Sequence, residues 1–167
     1  MSWQLGKGRI PLREQRRRPL ILVMGLGNVL FQDDGVGIHL IRQLQKDPIP
    51  KIVCAEVGTA VLGVLHLIEW ADKILAVDAM QAGGRPGTMY SFEVKNERDP
   101  GSQESLHGKT LLSAFKFLSR KTPPAIRILG IEPESIAFGP DLSPSVQASI
   151  PQVIHTIRKI LQGWIKQ

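Results

Sequence analysis

The stretch LILVMGLGNVLFQDDGVG, residues 20–37, decides how this chain is read. It opens on an apolar, β-prone run, Leu20-Ile21-Leu22-Val23-Met24. Gly25, Gly27 and Asn28 break that run, and two adjacent carboxylates follow, Asp33 and Asp34, with Gly35 and Gly37 after them. Val36, Leu40, Ile41 and Leu44 then recur at helical spacing. The pattern is a buried strand, a tight loop and a helix. In an open α/β sheet, the loop leaving the carboxyl end of the first strand is where ligands bind. An acidic pair in that loop is the first sign of chemistry.

Outward from this unit, strands and helices alternate. Strands are predicted at residues 20–24, 52–57, 73–77, 88–94 and 126–131. Helices are predicted at 35–45, 61–68, from His107 onward, and from Ser143-Pro144 to the carboxyl end. Serine as cap and proline in the first turn mark that last helix start. Pro48 and Pro50 end the first helix and Pro123-Pro124 blocks the third, while Pro151 predicts a kink or break in the last. Residues 95–105 are polar and without period, and residues 132–142 form a long loop. Alternation of this kind implies a single-domain, three-layer α/β/α sandwich with a mostly parallel twisted sheet.

The formal charge of +6 is unevenly placed. Residues 1–18 carry Lys7, Arg9, Arg13, Arg16, Arg17 and Arg18 against Glu14, so +5 of it lies there. Residues 1–18 therefore form a flexible basic arm, and residues 19–167 the folded domain. A nearly neutral body argues against nucleic-acid binding, which needs basic residues clustered on a folded surface. No stretch is long and apolar enough for a membrane span. The one cysteine, Cys54, excludes an internal disulfide and suits a cytoplasmic, reducing setting.

Asp34 follows the first strand, Asp78 ends the third, and His107 opens a helix that can point back over the same sheet edge. Two oxygens and one nitrogen suit a borderline divalent metal with coordination positions left open. They equally suit acid–base work. A lone aspartate at such a place is otherwise a turn former or cap, the role expected of Asp33. A dinucleotide site is the rival, since Gly25 and Gly27 follow a strand. The third glycine of that motif is replaced by Leu30, and the acidic pair would repel a pyrophosphate. There is no nucleophile elbow. Cys54 reads as a core residue, and His39, His66 and His155 as packing or surface residues. Glu132 and Glu134 read as loop hydrogen-bonding groups.

Taken together, GLGNVLFQDDGVG at 25–37, VDAM at 77–80, GGRPGT at 83–88, SLHG at 105–108 and GIEPESIAFGPDLSPSV at 130–146 say more. In this order they resemble the maturation endopeptidases of nickel-iron hydrogenases over residues 20–162. The resemblance implies an α/β/α peptidase that removes the C-terminal extension of a hydrogenase large-subunit precursor once nickel is in place. It assigns Asp34, Asp78 and His107 as the catalytic and metal-contacting trio. The metal expected is the precursor's own nickel, with no tightly bound metal of this chain. The basic arm has no counterpart in the family's usual start. A nickel-sensing module or chaperone that docks on the precursor without cutting is the alternative from another class.

Overall fold

A strand apolar along its whole length has to be covered on both faces. Strand β1, Ile21–Leu26, is buried at every position. The other strands are β2 (Ile52–Gly58), β3 (Lys73–Ala79), β4 (Met89–Val94) and β5 (Ala125–Ile131). In the computed structural model, which describes residues 19–95, 99 and 104–167, they form one sheet in the order β2-β1-β3-β5-β4. β2, β1, β3 and β5 are parallel, and β4 runs antiparallel to β5. The basic arm and most of the polar segment before Ser105 lie outside the described residues.

Among those residues the α-helices are α1 (Val36–Lys46), α2 (Leu65–Trp70), α3 (Gly108–Ala114) and α4 (Pro144–Ile165). Side chains alternate across a strand, and each set finds a different helical layer. Leu22, Met24, Ile74, Ala76, Ile126 and Ile128 meet Leu67 and Ile68 of α2 and Leu111 and Leu112 of α3. Ile21, Val23, Leu75, Val77, Leu129 and Ile131 meet Leu40, Ile41 and Leu44 of α1 and the apolar stripe of α4. That stripe, Val146, Ile150, Val153, Ile157 and Leu161, is buried throughout. At roughly 1.5–3 kcal/mol for each such side chain, this packing outweighs the helix's own propensity.

Of the kink or break that the sequence pattern predicts at Pro151, α4 shows no break. Pro151 lies on the solvent-facing side, as does Gln147. The carbonyl that loses its helical donor can therefore turn to water, and the apolar stripe on both sides of Pro151 holds the helix together. Strand ends also move. β1 continues through Gly25 to Leu26, and β3 runs to Ala79, so Asp78 lies inside the strand and not after it. The third helix is shorter than its apolar pattern, giving way to a 3-10 turn at Phe115–Phe117.

The strand order has a functional consequence. After β1 the chain moves to one side to make β2, then returns to the other side to make β3. The connections therefore diverge between β1 and β3, and a crevice opens there at their carboxyl ends. Asp34 and Asp78 flank that crevice.

Candidate functional site

Gly27 makes the turn out of β1 with φ 113°, a left-handed backbone that suits glycine. A Cβ there would overlap the Asp34 carbonyl. The glycines of this loop thus serve close backbone packing around an acid, which is a poor cradle for a pyrophosphate. Asp34 lies in a 3-10 turn, Gln32–Gly35. Its Oδ2 accepts from the Asn28 N–H at 3.0 Å, and its Oδ1 lies 2.9 Å from His107 Nε2.

Asp78 is fully buried in β3. Its Oδ1 accepts from the Ala79 N–H at 2.9 Å. Its Oδ2 accepts from the Ser105 hydroxyl at 2.5 Å and the His107 N–H at 2.7 Å. Asp78→Asn therefore cannot be neutral for the fold, as an exposed strand-end residue would be. His107 takes the N-cap position of α3 without capping it through its side chain, which leaves the ring free to turn inward. A bridge between Met80 and Ser105 ties the segment before it to the end of β3. The His107 Nε2 is 4.0 Å from Asp78 Oδ1. One ligand atom each from Asp34, Asp78 and His107 lies within 4.8 Å of the others.

Burial pushes the Asp78 carboxyl up to about 6, against the opposing pull of His107 and the Ser105 hydrogen bond. The hydrogen bond to Asp34 raises His107 from its ordinary value, more than burial lowers it. Both shifts favour a bound proton, on Asp78 and on His107, so a divalent cation entering the cluster competes with protons for those two groups. Two carboxylates and an imidazole match a borderline divalent ion and leave the remaining positions open.

Three features escaped the sequence. Ser105 was visible only as the serine of SLHG, and its contact needs the 27-residue connection from Asp78 to fold back. Asp33 is structural, but it caps no helix. Its buried carboxylate accepts from the N–H groups of Glu134, Ser135 and Ser143 at 2.9, 3.0 and 2.8 Å. It pins the loop after β5 against the loop that carries Asp34. Exposed apolar side chains also lie on the segments that carry the trio and on the loop tied to them: Leu30 and Phe31 before Asp34, Leu106 before His107, and Ile136 and Phe138 on the loop that Asp33 holds. Phe31 and Phe138 meet edge to face at 6.1 Å.

The remaining expectations divide. Glu132 is a loop hydrogen-bonding residue, accepting from Ala82, Gly83 and Tyr90. Among the described residues the Glu134 side chain makes no hydrogen bond of this kind; its backbone N–H binds Asp33 instead. Cys54 is half-buried in β2 and only flanks a core.

Residues 38–160 match the family model described as hydrogenase maturation protease. The hydrogenase expression/formation protein HupD of Rhizobium leguminosarum is 29% identical over 154 residues, which is 87% of this chain and 76% of that one. The hydrogenase 2 maturation protease of Escherichia coli is 28% identical, covering 85% of this chain and 90% of its own length. The solved structure of the hydrogenase maturating endopeptidase HybD from Escherichia coli superposes with a TM-score of 0.71 at 26% identity, over 86% of this chain and 92% of that one. The nickel-iron hydrogenase maturation protease HybD from Thermococcus kodakarensis gives 0.67 at 26% identity, over 84% and 97%.

Proposed function

This chain belongs to the hydrogenase maturation protease family, and from that premise we propose what it cuts and how it selects it. The substrate is the large-subunit precursor of a nickel-iron hydrogenase, and the bond cut releases its C-terminal extension. The cue is nickel already seated in the precursor. Asp34, Asp78 and His107 supply two oxygens and one nitrogen to that ion while the precursor's own thiolates hold the rest of its shell. Affinity then depends on the metal, so an unloaded precursor binds weakly and is not cut. A divalent ion so placed can polarise a carbonyl or lower the pKa of a bound water.

The observation that carries this reading is the convergence of the three donors within 4.8 Å at the switch point of the sheet. The exposed apolar side chains on the segments that carry them and on the loop tied to those segments support a macromolecular substrate over a small one. Membership of a protease family favours cutting over the docking-only alternative. Carboxylates alone hold nickel less well than thiolates do, so the purified protein should carry no stoichiometric metal by elemental analysis.

The test is incubation with nickel-loaded and nickel-free precursor, read by mass spectrometry. The loaded precursor alone should lose its extension. Asp34→Asn and Asp78→Asn should abolish or strongly slow that loss. Equal cutting of the two precursors, or a full-rate Asp78→Asn enzyme, refutes nickel recognition by the trio.

A further inference from the structure

β2 is an edge strand, paired with β1 on one side only. Alternate residues of such a strand turn N–H and C=O away from the sheet. Two hydrogen bonds identify the outward set. The Ile52 N–H donates to the Ile49 carbonyl at 3.2 Å, and the Cys54 carbonyl accepts from the Gln45 side chain at 3.2 Å. By the strand's alternation Glu56 faces the same way.

Edges left open in this manner invite another chain, and proteins commonly cover or blunt them. Here the edge forms the floor of a groove of about 1110 Å³. Arg42 and Gln45 of α1, with Pro48 and Ile49, wall one side, and His66 and Leu67 of α2 the other. At the carboxyl end the groove reaches Gly27 and Asn28. The Asn28 N–H is the group bound to Asp34 Oδ2. A chain lying along β2 is therefore led to the trio.

We propose that this groove holds the protein substrate, whose segment on the extension side of the cut adds to β2 as a sixth strand, main chain to main chain, at Glu56 and at Cys54, where it takes the place of the Gln45 side chain on the carbonyl. The identity of the occupant rests on the proteolytic reading above. β2 has seven residues, so at about 3.3 Å each it accommodates an extended segment of about six. The walls decide between occupants. A single extended strand enters between α1 and α2, whereas a second copy would bring the same two walls against them. Recognition through backbone groups also leaves the sequence of the bound segment largely free, with the trio providing the selective contact.

Cys54, the chain's one cysteine, reports on the groove from within. Its alkylation is followed by mass spectrometry of the tryptic peptide 52–73, in full-length protein. Nickel-loaded precursor at ten times its Kd should slow the rate about tenfold, and processed large subunit lacking the extension should not. Glu56→Pro removes one outward N–H at a position where an edge strand tolerates proline. Its KM for precursor should exceed that of Glu56→Ala several-fold, with melting temperatures alike. Equal rates with and without precursor, equal slowing by precursor and processed subunit, or equal KM values overturn the proposal. Slowing that follows this protein's own concentration assigns the edge to a second copy and overturns it too. Cutting without protection of Cys54 removes the groove and leaves the peptidase. A loaded precursor that is never cut removes the peptidase reading, and the groove's named occupant with it.

Discussion

Asp78 holds its carboxylate among three donors, in a burial that opposes its charge. Its pKa climbs from 3.8 to about 6 on folding. Between those values the folded chain binds the extra proton, so stability falls as pH rises. Above about 6 the full penalty is present, about 3 kcal/mol by linkage. His107 adds to the trend, because its raised pKa gives a stabilisation complete below 6.5 and lost as pH climbs through the folded value. Asp78→Asn cannot titrate, and its amide turns a donor toward donors, at a cost of about 1–3 kcal/mol. Urea unfolding at pH 4, 5.5 and 7 should show the variant gaining steadily on wild type; a gap independent of pH would refute this. Asp33 has three N–H groups on its carboxylate and no exposure. Asp33→Asn should lower stability by about 2–3 kcal/mol at pH 7. In the same titration Asp33→Asn should be the less stable of the two variants at pH 7.

Helix α1 shows how an element answers to its neighbours. By propensity alone, Gly37→Ala in a helix gains up to about 1 kcal/mol. A Cβ at Gly37, however, would overlap the Val77 carbonyl of β3 and the Leu26 backbone of β1. The helix would have to lift from the sheet, so the substitution should destabilise by several kcal/mol or about ten degrees in Tm. A thermal melt matching wild type would mean that α1 can be displaced without loss. In α4 the sign is reversed. Pro151 is exposed in an uninterrupted helix, so Pro151→Ala restores an N–H to the Gln147 carbonyl. It should raise stability by about 1–3 kcal/mol, measurable as a higher urea midpoint. Both positions lie inside helices, and the difference is what stands opposite each: sheet backbone against Gly37, water against Pro151.

For the molecule as a whole, residues 1–18 carry +5 and few apolar side chains, so removing residues 2–17 should leave the melting temperature unchanged. A drop of several degrees would show that the arm packs on the domain. The element order, the two-sided burial of β1 and the identity of Asp34, Asp78 and His107 as candidates were legible in the sequence, whereas the divergence of chain paths between β1 and β3 followed from the strand order. Each of the legible features follows from local periodicity, turn residues or motif order, which depend on neighbours in the chain. The continuity of α4 through Pro151, the tether from Asp33 to the loop after β5, the Ser105 hydroxyl on Asp78 and the open edge of β2 were decided by tertiary structure. Ser105 and Asp78 are 27 residues apart, and Asp33 and Ser143 are 110. No local pattern ties such pairs, because only sheet order and layer packing bring their polar groups together in a place that water cannot reach. An edge strand likewise becomes an edge when no other strand pairs beyond it, a property of the assembled sheet and of no single stretch of the chain.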